Sequence, residues 1–160
     1  MSEAAAKAFE HFQADVGNDE GTGDWFEVTQ GQIDQFADIT HDHQFIHVDP
    51  ERAKATPFGT TIAHGFLMLS MLTHRSAGTS SAPPNPAKYE GVMMGINYGF
   101  NKVRFVSPVK VGSKIRARGV TANVELKGNM IEVTRSFTIE IEGEEKPAVA
   151  ADWITRTVYA

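Results

Sequence analysis

Wound as a helix, the segment Ala63-His64-Gly65-Phe66-Leu67-Met68-Leu69-Ser70-Met71-Leu72-Thr73-His74-Arg75 is apolar on nearly every side. A helix without a polar face must be enclosed, and this one falls well short of the roughly 20 residues that cross a bilayer. It therefore requires a wrapper of protein, and the downstream chain has the pattern of one. Between Ile131 and Ile141 the odd positions are Ile131, Val133, Arg135, Phe137, Ile139 and Ile141, while the even ones are mostly polar. That is the period of a half-buried strand, with Arg135 as a charged intruder. Gly128-Asn129 supplies a hairpin turn that pairs Lys114–Leu126 with it. Val92, Met94, Ile96, Tyr98 and Phe100 also alternate, but the phase slips before Val103 and Phe105, which predicts a bulge near Asn101. A last strand covers about Val149 to Tyr159. One buried helix followed by four long strands predicts an α+β chain in which an antiparallel sheet wraps the helix.

The chain of 160 residues is expected to form a single domain. Residues 1–23 read as an N-terminal helix, with apolar positions at helical spacing as far as Val16, followed by a flexible turn rich in Gly and acidic residues. Trp25–Val28 reads as a short strand. Thr29 and Gln32 have the spacing of a capping box that opens a helix running to about Ala37 or Asp38. Asp42–His47 then reads as a loop. Asp49-Pro50 is a second helix start, with Asp able to cap orphan amides and Pro suited to the first turn, so that about Pro50–Ala55 should be helical. Ala77–Pro86, rich in Ser, Gly and Pro, reads as an exposed loop.

Composition narrows the chemistry. With no cysteine, disulfides, thiolate metal sites and thiol nucleophiles are all excluded. A net charge of −5 argues against non-specific nucleic-acid binding. Neither a membrane span nor an export signal is read, and the expected location is the cytoplasm.

The chemistry concentrates in Thr40-His41-Asp42-His43-Gln44-Phe45-Ile46-His47-Val48-Asp49-Pro50. A carboxylate and an imidazole five residues apart cannot share a helical face, so Asp42 and His47 converge only if Gln44-Phe45-Ile46 turns. Together they would hold one water between a base and an acid ready at neutral pH. Gly65, at the start of the apolar helix, offers an unpaired amide and lets a carbonyl approach closely, which suits a developing enolate oxygen.

These residues resemble the MaoC-like dehydratase family, the hydratase 2 or (R)-specific enoyl-CoA hydratases. The family's Asp-x-Asn-Pro-x-His core falls on Asp42, Gln44, Phe45 and His47, its later His-Gly on His64 and Gly65, and its helix hydroxyl on Thr73. Gln44-Phe45 stands where the family usually has Asn-Pro, and His41 where it has Gly. The run from Asp42 to Pro50, together with Pro57-Phe58-Gly59-Thr60, Ala63–Phe66, Asn97–Phe105 and Pro108-Val109, is similar to the NodN-like branch. The match spans about Trp25 to Arg118.

The resemblance implies a hot-dog fold and a homodimer whose sheets join edge to edge. It implies reversible syn hydration of a trans-2-enoyl-CoA to a (R)-3-hydroxyacyl-CoA, with no metal or redox cofactor. Asp42 and His47 would activate water and protonate the α-carbon, the Gly65 amide would hold the thioester oxygen, and Gln44, His64 and Thr73 would position substrate or water. Lys102 and Arg104 are candidates to meet the coenzyme A phosphates, as strand cations that otherwise face solvent.

Each residue also has a plainer role. Asp42 can cap a loop, His47 can be a core histidine, Gly65 can serve close packing, and Thr73 can bond back to its own helix. His41, His43 and His47 around Asp42 have the composition of a metal site. Two other functions fit the same fold. An acyl-CoA thioesterase generally carries a carboxylate on or beside the central helix, but no Asp or Glu occurs between Ala53 and Tyr89. A non-catalytic acyl-CoA-binding partner subunit would keep the fold without turnover.

Overall fold

The computed structural model describes residues 2–75, without the Arg75 side chain, and 85–160. Most of the expected loop at Ala77–Pro86 lies outside the described residues; its end, Pro86–Lys88, is a turn of 3-10 helix. The chain order is α1 (Glu3–Gln13), β1 (Asp19–Thr22), β2 (Phe26–Glu27), α2 (Gln30–Thr40), α3 (Phe45–Val48), α4 (Pro50–Ala53), α5 (Gly65–Ser70), α6 (Leu72–Arg75), β3 (Val92–Phe105), β4 (Lys114–Lys127), β5 (Met130–Ile141) and β6 (Val149–Tyr159). The strands form one antiparallel sheet in the order β1-β4-β5-β6-β3, with β2 also paired to β4.

The inward side chains follow from the alternation. Ile115 and Ala117 of β4, Phe137, Ile139 and Ile141 of β5, and Val149 and Ala151 of β6 share a core with Met68 of α5 and Leu72 of α6. The sheet thus packs its apolar face on the central helix, as expected of an α+β hot-dog arrangement. A second cluster forms where α1 lays Ala5, Ala8 and Phe12 against Val124, Ile131, Val133 and Tyr159. Burial against that cluster pushes the Tyr159 hydroxyl up to about 12, and the hydroxyl donates to the Lys88 carbonyl at 2.5 Å.

Several local expectations hold. Thr29 accepts from the Gln32 amide, and the Gln32 side chain accepts from the Thr29 amide, which completes the capping box. Asp49 accepts from the Arg52 amide at 3.0 Å, with Pro50 opening α4. Lys127 pairs with Met130 across Gly128-Asn129, where Gly128 has φ 64°. The register of β3 shifts between Phe100 and Lys102, at Asn101, and twice more nearer its start.

Four expectations are corrected. Residues 19–22 are not a flexible turn but strand β1, with Asp19 opposite Val120 and Thr22 opposite Arg118. The open edge of β4 offers backbone partners that Gly-rich composition does not forfeit. Ion pairs secure the strand: Asp19 with Arg118, and Glu20 with Arg135 at 2.8 Å. Arg135, the intruder on the apolar face of β5, is thereby matched. The Asp42–His47 segment is not wholly loop, since Phe45–Val48 forms one helical turn. The central helix begins at Gly65 rather than Ala63 and is interrupted at Met71, which separates α5 from α6. Finally, the helix is not enclosed on all sides by its own chain, because Phe66 is 67% exposed.

Candidate active site

Helix α2 ends at His41, whose φ of 61° lies in the left-handed region. That conformation reverses the chain and brings Asp42 back toward the body of the protein. The single turn of α3 then supplies the bend that the five-residue separation demands, and it buries His47 at 7% exposure. The third element is the extended chain before α5. Ala63 donates to the Val109 carbonyl at 2.8 Å and Val111 donates to the Thr61 carbonyl at 3.0 Å, so Ile62 is held between two backbone bonds.

These three elements meet at two stacked imidazoles. The rings of His47 and His64 lie 3.8 Å apart at an interplanar angle of 25°, and the His64 ring also packs against Phe36 of α2. His47 Nδ1 is 2.7 Å from the Ile62 carbonyl. Because a carbonyl only accepts, Nδ1 carries the proton and Nε2 is left with its lone pair. His64 Nε2 is 2.9 Å from the Asp42 carbonyl, so in His64 it is Nε2 that donates. His64 Nδ1 is buried and has no hydrogen-bond partner among the described residues. Asp42 and His47 do converge: a carboxylate oxygen of Asp42 and a ring nitrogen of each histidine lie within 4.8 Å of one another. The Asp42 carboxylate, about half exposed, lies 3.9 Å from His64 Nε2.

Burial pushes the His47 imidazole below its ordinary value of 6.5, and the nearby His64 adds to the lowering. The Ile62 carbonyl and the Asp42 carboxylate oppose it. A neutral His47 whose Nε2 keeps its lone pair can accept a proton from a water held between it and the nearby carboxylate and return it.

The other expected residues fall variously around this pair. Gly65 opens α5 next to His64, and a side chain there would meet the Phe105 ring, since an added Cβ would lie 2.9 Å from Cγ and Cδ1. Close packing therefore coexists at Gly65 with a place in the first helical turn, where amides have no partner within the helix. Gln44 precedes α3, and its amide is 3.4 Å from Asp42 Oδ1. The Thr73 hydroxyl donates to the Ser70 carbonyl at 3.0 Å, the plainer of its two roles. Lys102 and Arg104 lie on β3; Lys102 is 3.9 Å from Asp152, and Arg104 donates to the Val103 carbonyl.

The histidine cluster read along the chain disperses. His41 serves the bend, and His43 Nε2 turns to Asp38 at 2.9 Å. Among the described residues, the set with metal-binding atoms close together is Asp42, His47 and His64. In that set, carbonyl groups already take up one nitrogen of each ring.

Sequence reasoning did not find two contributors. The Ile62 carbonyl sets the tautomer of His47, and a backbone group leaves no mark in a motif. The Gln30 side chain, from the first turn of α2, donates to the His47 carbonyl at 2.8 Å.

A separate cleft of about 550 Å³ is lined by Trp25, Arg116, Arg118, Thr138 and Glu140 among others. Those strand positions alternate with core residues, so the cleft opens on the outer face of β4 and β5, away from Asp42 and His47. Its cations are matched, Arg116 to Glu140 at 2.6 Å and over the Trp25 ring, and Arg118 to Asp19.

The family described as "MaoC like domain" matches residues 11–142. "Nodulation protein N" of Rhizobium leguminosarum bv. viciae is 51% identical over 142 residues, covering 88% of this chain and 84% of that one. "3-hydroxyacyl-thioester dehydratase Z" of Mycobacterium tuberculosis (strain ATCC 25618 / H37Rv) is 48% identical over 146 residues, covering 91% and 92%. Among solved structures, the unliganded R-hydratase PhaJ1 from Pseudomonas aeruginosa superposes with a TM-score of 0.66 at 21% identity, covering 91% of this chain and 83% of that one. This last likeness shows the fold.

Proposed function

Since this chain belongs to the MaoC-like dehydratase family, we propose that it is an (R)-specific enoyl-CoA hydratase, adding water reversibly and syn across a trans-2-enoyl-CoA. The observation that carries this reading is the convergence of Asp42 with a His47 whose Nδ1 proton is engaged by Ile62, leaving Nε2 as an acceptor.

In the hydration direction, a water lies between the Asp42 carboxylate and His47 Nε2. One of its protons passes to the pair as its oxygen bonds to C3. The C2–C3 double bond opens toward the thioester, whose oxygen takes up enolate charge against the Gly65 amide. The pair then returns that proton to C2 on the same face, so both groups end as they began. The proton belongs to the pair jointly. His64 holds Asp42 by its carbonyl and supports His47 by stacking. Gln44 and Thr73 border the water and the substrate, and Lys102 and Arg104 are cations on β3 for the coenzyme's phosphates. No metal or redox cofactor takes part in this scheme.

The partner is a second copy of the chain. β3 is an edge strand of 14 residues. Met93, Met94, Ile96 and Tyr98 on it are each more than a third exposed. A long apolar edge of this kind is normally covered, and pairing two β3 strands would cover it.

Incubation with crotonyl-CoA, followed by separation of the 3-hydroxy enantiomers, tests the reading. The (R) product is expected. Release of free thiol would indicate a thioesterase instead, and thermal stabilisation by acyl-CoA without turnover would indicate a binding subunit.

A further inference from the structure

We propose that Gln30 is a positioning residue for His47, clamping the turn that carries it to both α2 and the chain that leads into α5. Both N–H donors of the side-chain amide and its carbonyl oxygen are engaged. Nε2 donates to Asp34 Oδ1 at 2.8 Å and to the His47 carbonyl at 2.8 Å, while Oε1 accepts from the Thr61 hydroxyl at 2.6 Å. Thr61 is fully buried and directly precedes Ile62, whose carbonyl receives the His47 ring proton. Ile62 in turn donates its amide to the Ile46 carbonyl at 3.0 Å. His47 is therefore anchored at two points, its backbone by Gln30 and its ring by Ile62, and Gln30 holds both anchors through one rigid planar group. Asn is one methylene too short to span them. Glu keeps the acceptor but loses both donors, and it would set a carboxylate against Asp34 and a carbonyl.

The catalytic consequence rests on the hydratase reading. A base that must meet a water and C2 in turn loses rate when its ring drifts, while substrate affinity is little changed. The test compares Gln30→Met, which keeps the bulk without the polar atoms, with Thr61→Val and Thr61→Ser, which remove or keep the hydroxyl from the other side. Gln30→Met and Thr61→Val should each lower kcat roughly tenfold with KM within about twofold, and Thr61→Ser should restore kcat, the scale expected for one buried hydrogen bond. Nitrogen-15 NMR of the resting protein gives the second readout. Wild type should show His47 protonated at Nδ1, and Gln30→Met should show a mixture of tautomers.

If Gln30→Met retains both wild-type kcat and the single His47 tautomer, the proposal is overturned. Should Gln30→Met fail to fold, the Thr61 pair decides in the same way. If the wild type does not turn over crotonyl-CoA, the hydratase reading falls, and the tautomer comparison still judges Gln30.

Discussion

At the residue scale, the site depends on two acceptors aimed at one small volume. Asp42→Asn removes the charge and His47→Gln removes the proton carrier. Each should lower kcat for crotonyl-CoA hydration by about a hundredfold or more, the scale of positioned acid-base catalysis. Circular dichroism should show both variants folded; turnover near wild type in either would sink the scheme. His47 also links folding to pH. Its folded value lies below 6.5, chiefly through burial, so below pH 6.5 the unfolded chain takes up a proton that the folded chain resists. The stability it contributes is complete above 6.5 and declines as pH falls through the folded value. Denaturant titrations from pH 7.5 down to 5 should show this decline in wild type and a shallower one in His47→Gln. Gly65 is tested sterically. With a Cβ forced against Phe105, Gly65→Ala should cost about 1–3 kcal/mol. The cost should shrink when Phe105→Leu is added, and unaltered stability in the single variant would refute the packing account.

At the scale of elements, helix starts and strand alternation could be read from the chain because their causes are local. Thr29 with Gln32, Asp49 before Pro50, and the slip in phase at Asn101 each act over a few residues. Strand β1 escaped notice because its pairing is dictated by the free edge of β4, about a hundred residues away in sequence, and not by any alternation of its own. The same distinction runs through the site. Asp42 and His47 stand out because they lie close together in sequence at a spacing with chemical meaning. Gln30 does not, since its partners His47 and Thr61 lie 17 and 31 positions further along. The stack of His64 on His47 was equally hidden, because it exists only once α5 docks beside α3. One prediction belongs here. Thr29→Ala removes the cap of α2 and should cost about 1 kcal/mol. Because Gln30 occupies the next position, hydrogen exchange should also quicken at the amides of α3; a loss of stability with α3 exchange unchanged would uncouple the two elements.

For the whole molecule, the decisive surface is the β3 edge. Among the described residues, an isolated chain leaves Met93, Met94, Ile96 and Tyr98 exposed on a strand at the edge of the sheet. In sedimentation analysis the protein should therefore run at twice the 17.5 kDa of one chain. Placing charges on one face of that strand, as in Met94→Lys with Ile96→Lys, should shift it to the single-chain mass. A wild type that sediments as one chain at micromolar concentration would remove the dimer from the account.

The bend at His41 reaches further than its size suggests. An L-residue has a small basin at positive φ, whereas Gly roams widely there. With a β-carbon at this corner, φ 61° is close to the centre of what the backbone can visit. The elbow leading to Asp42 is accordingly stiff, so the backbone that carries this carboxylate takes its course once, when the chain folds.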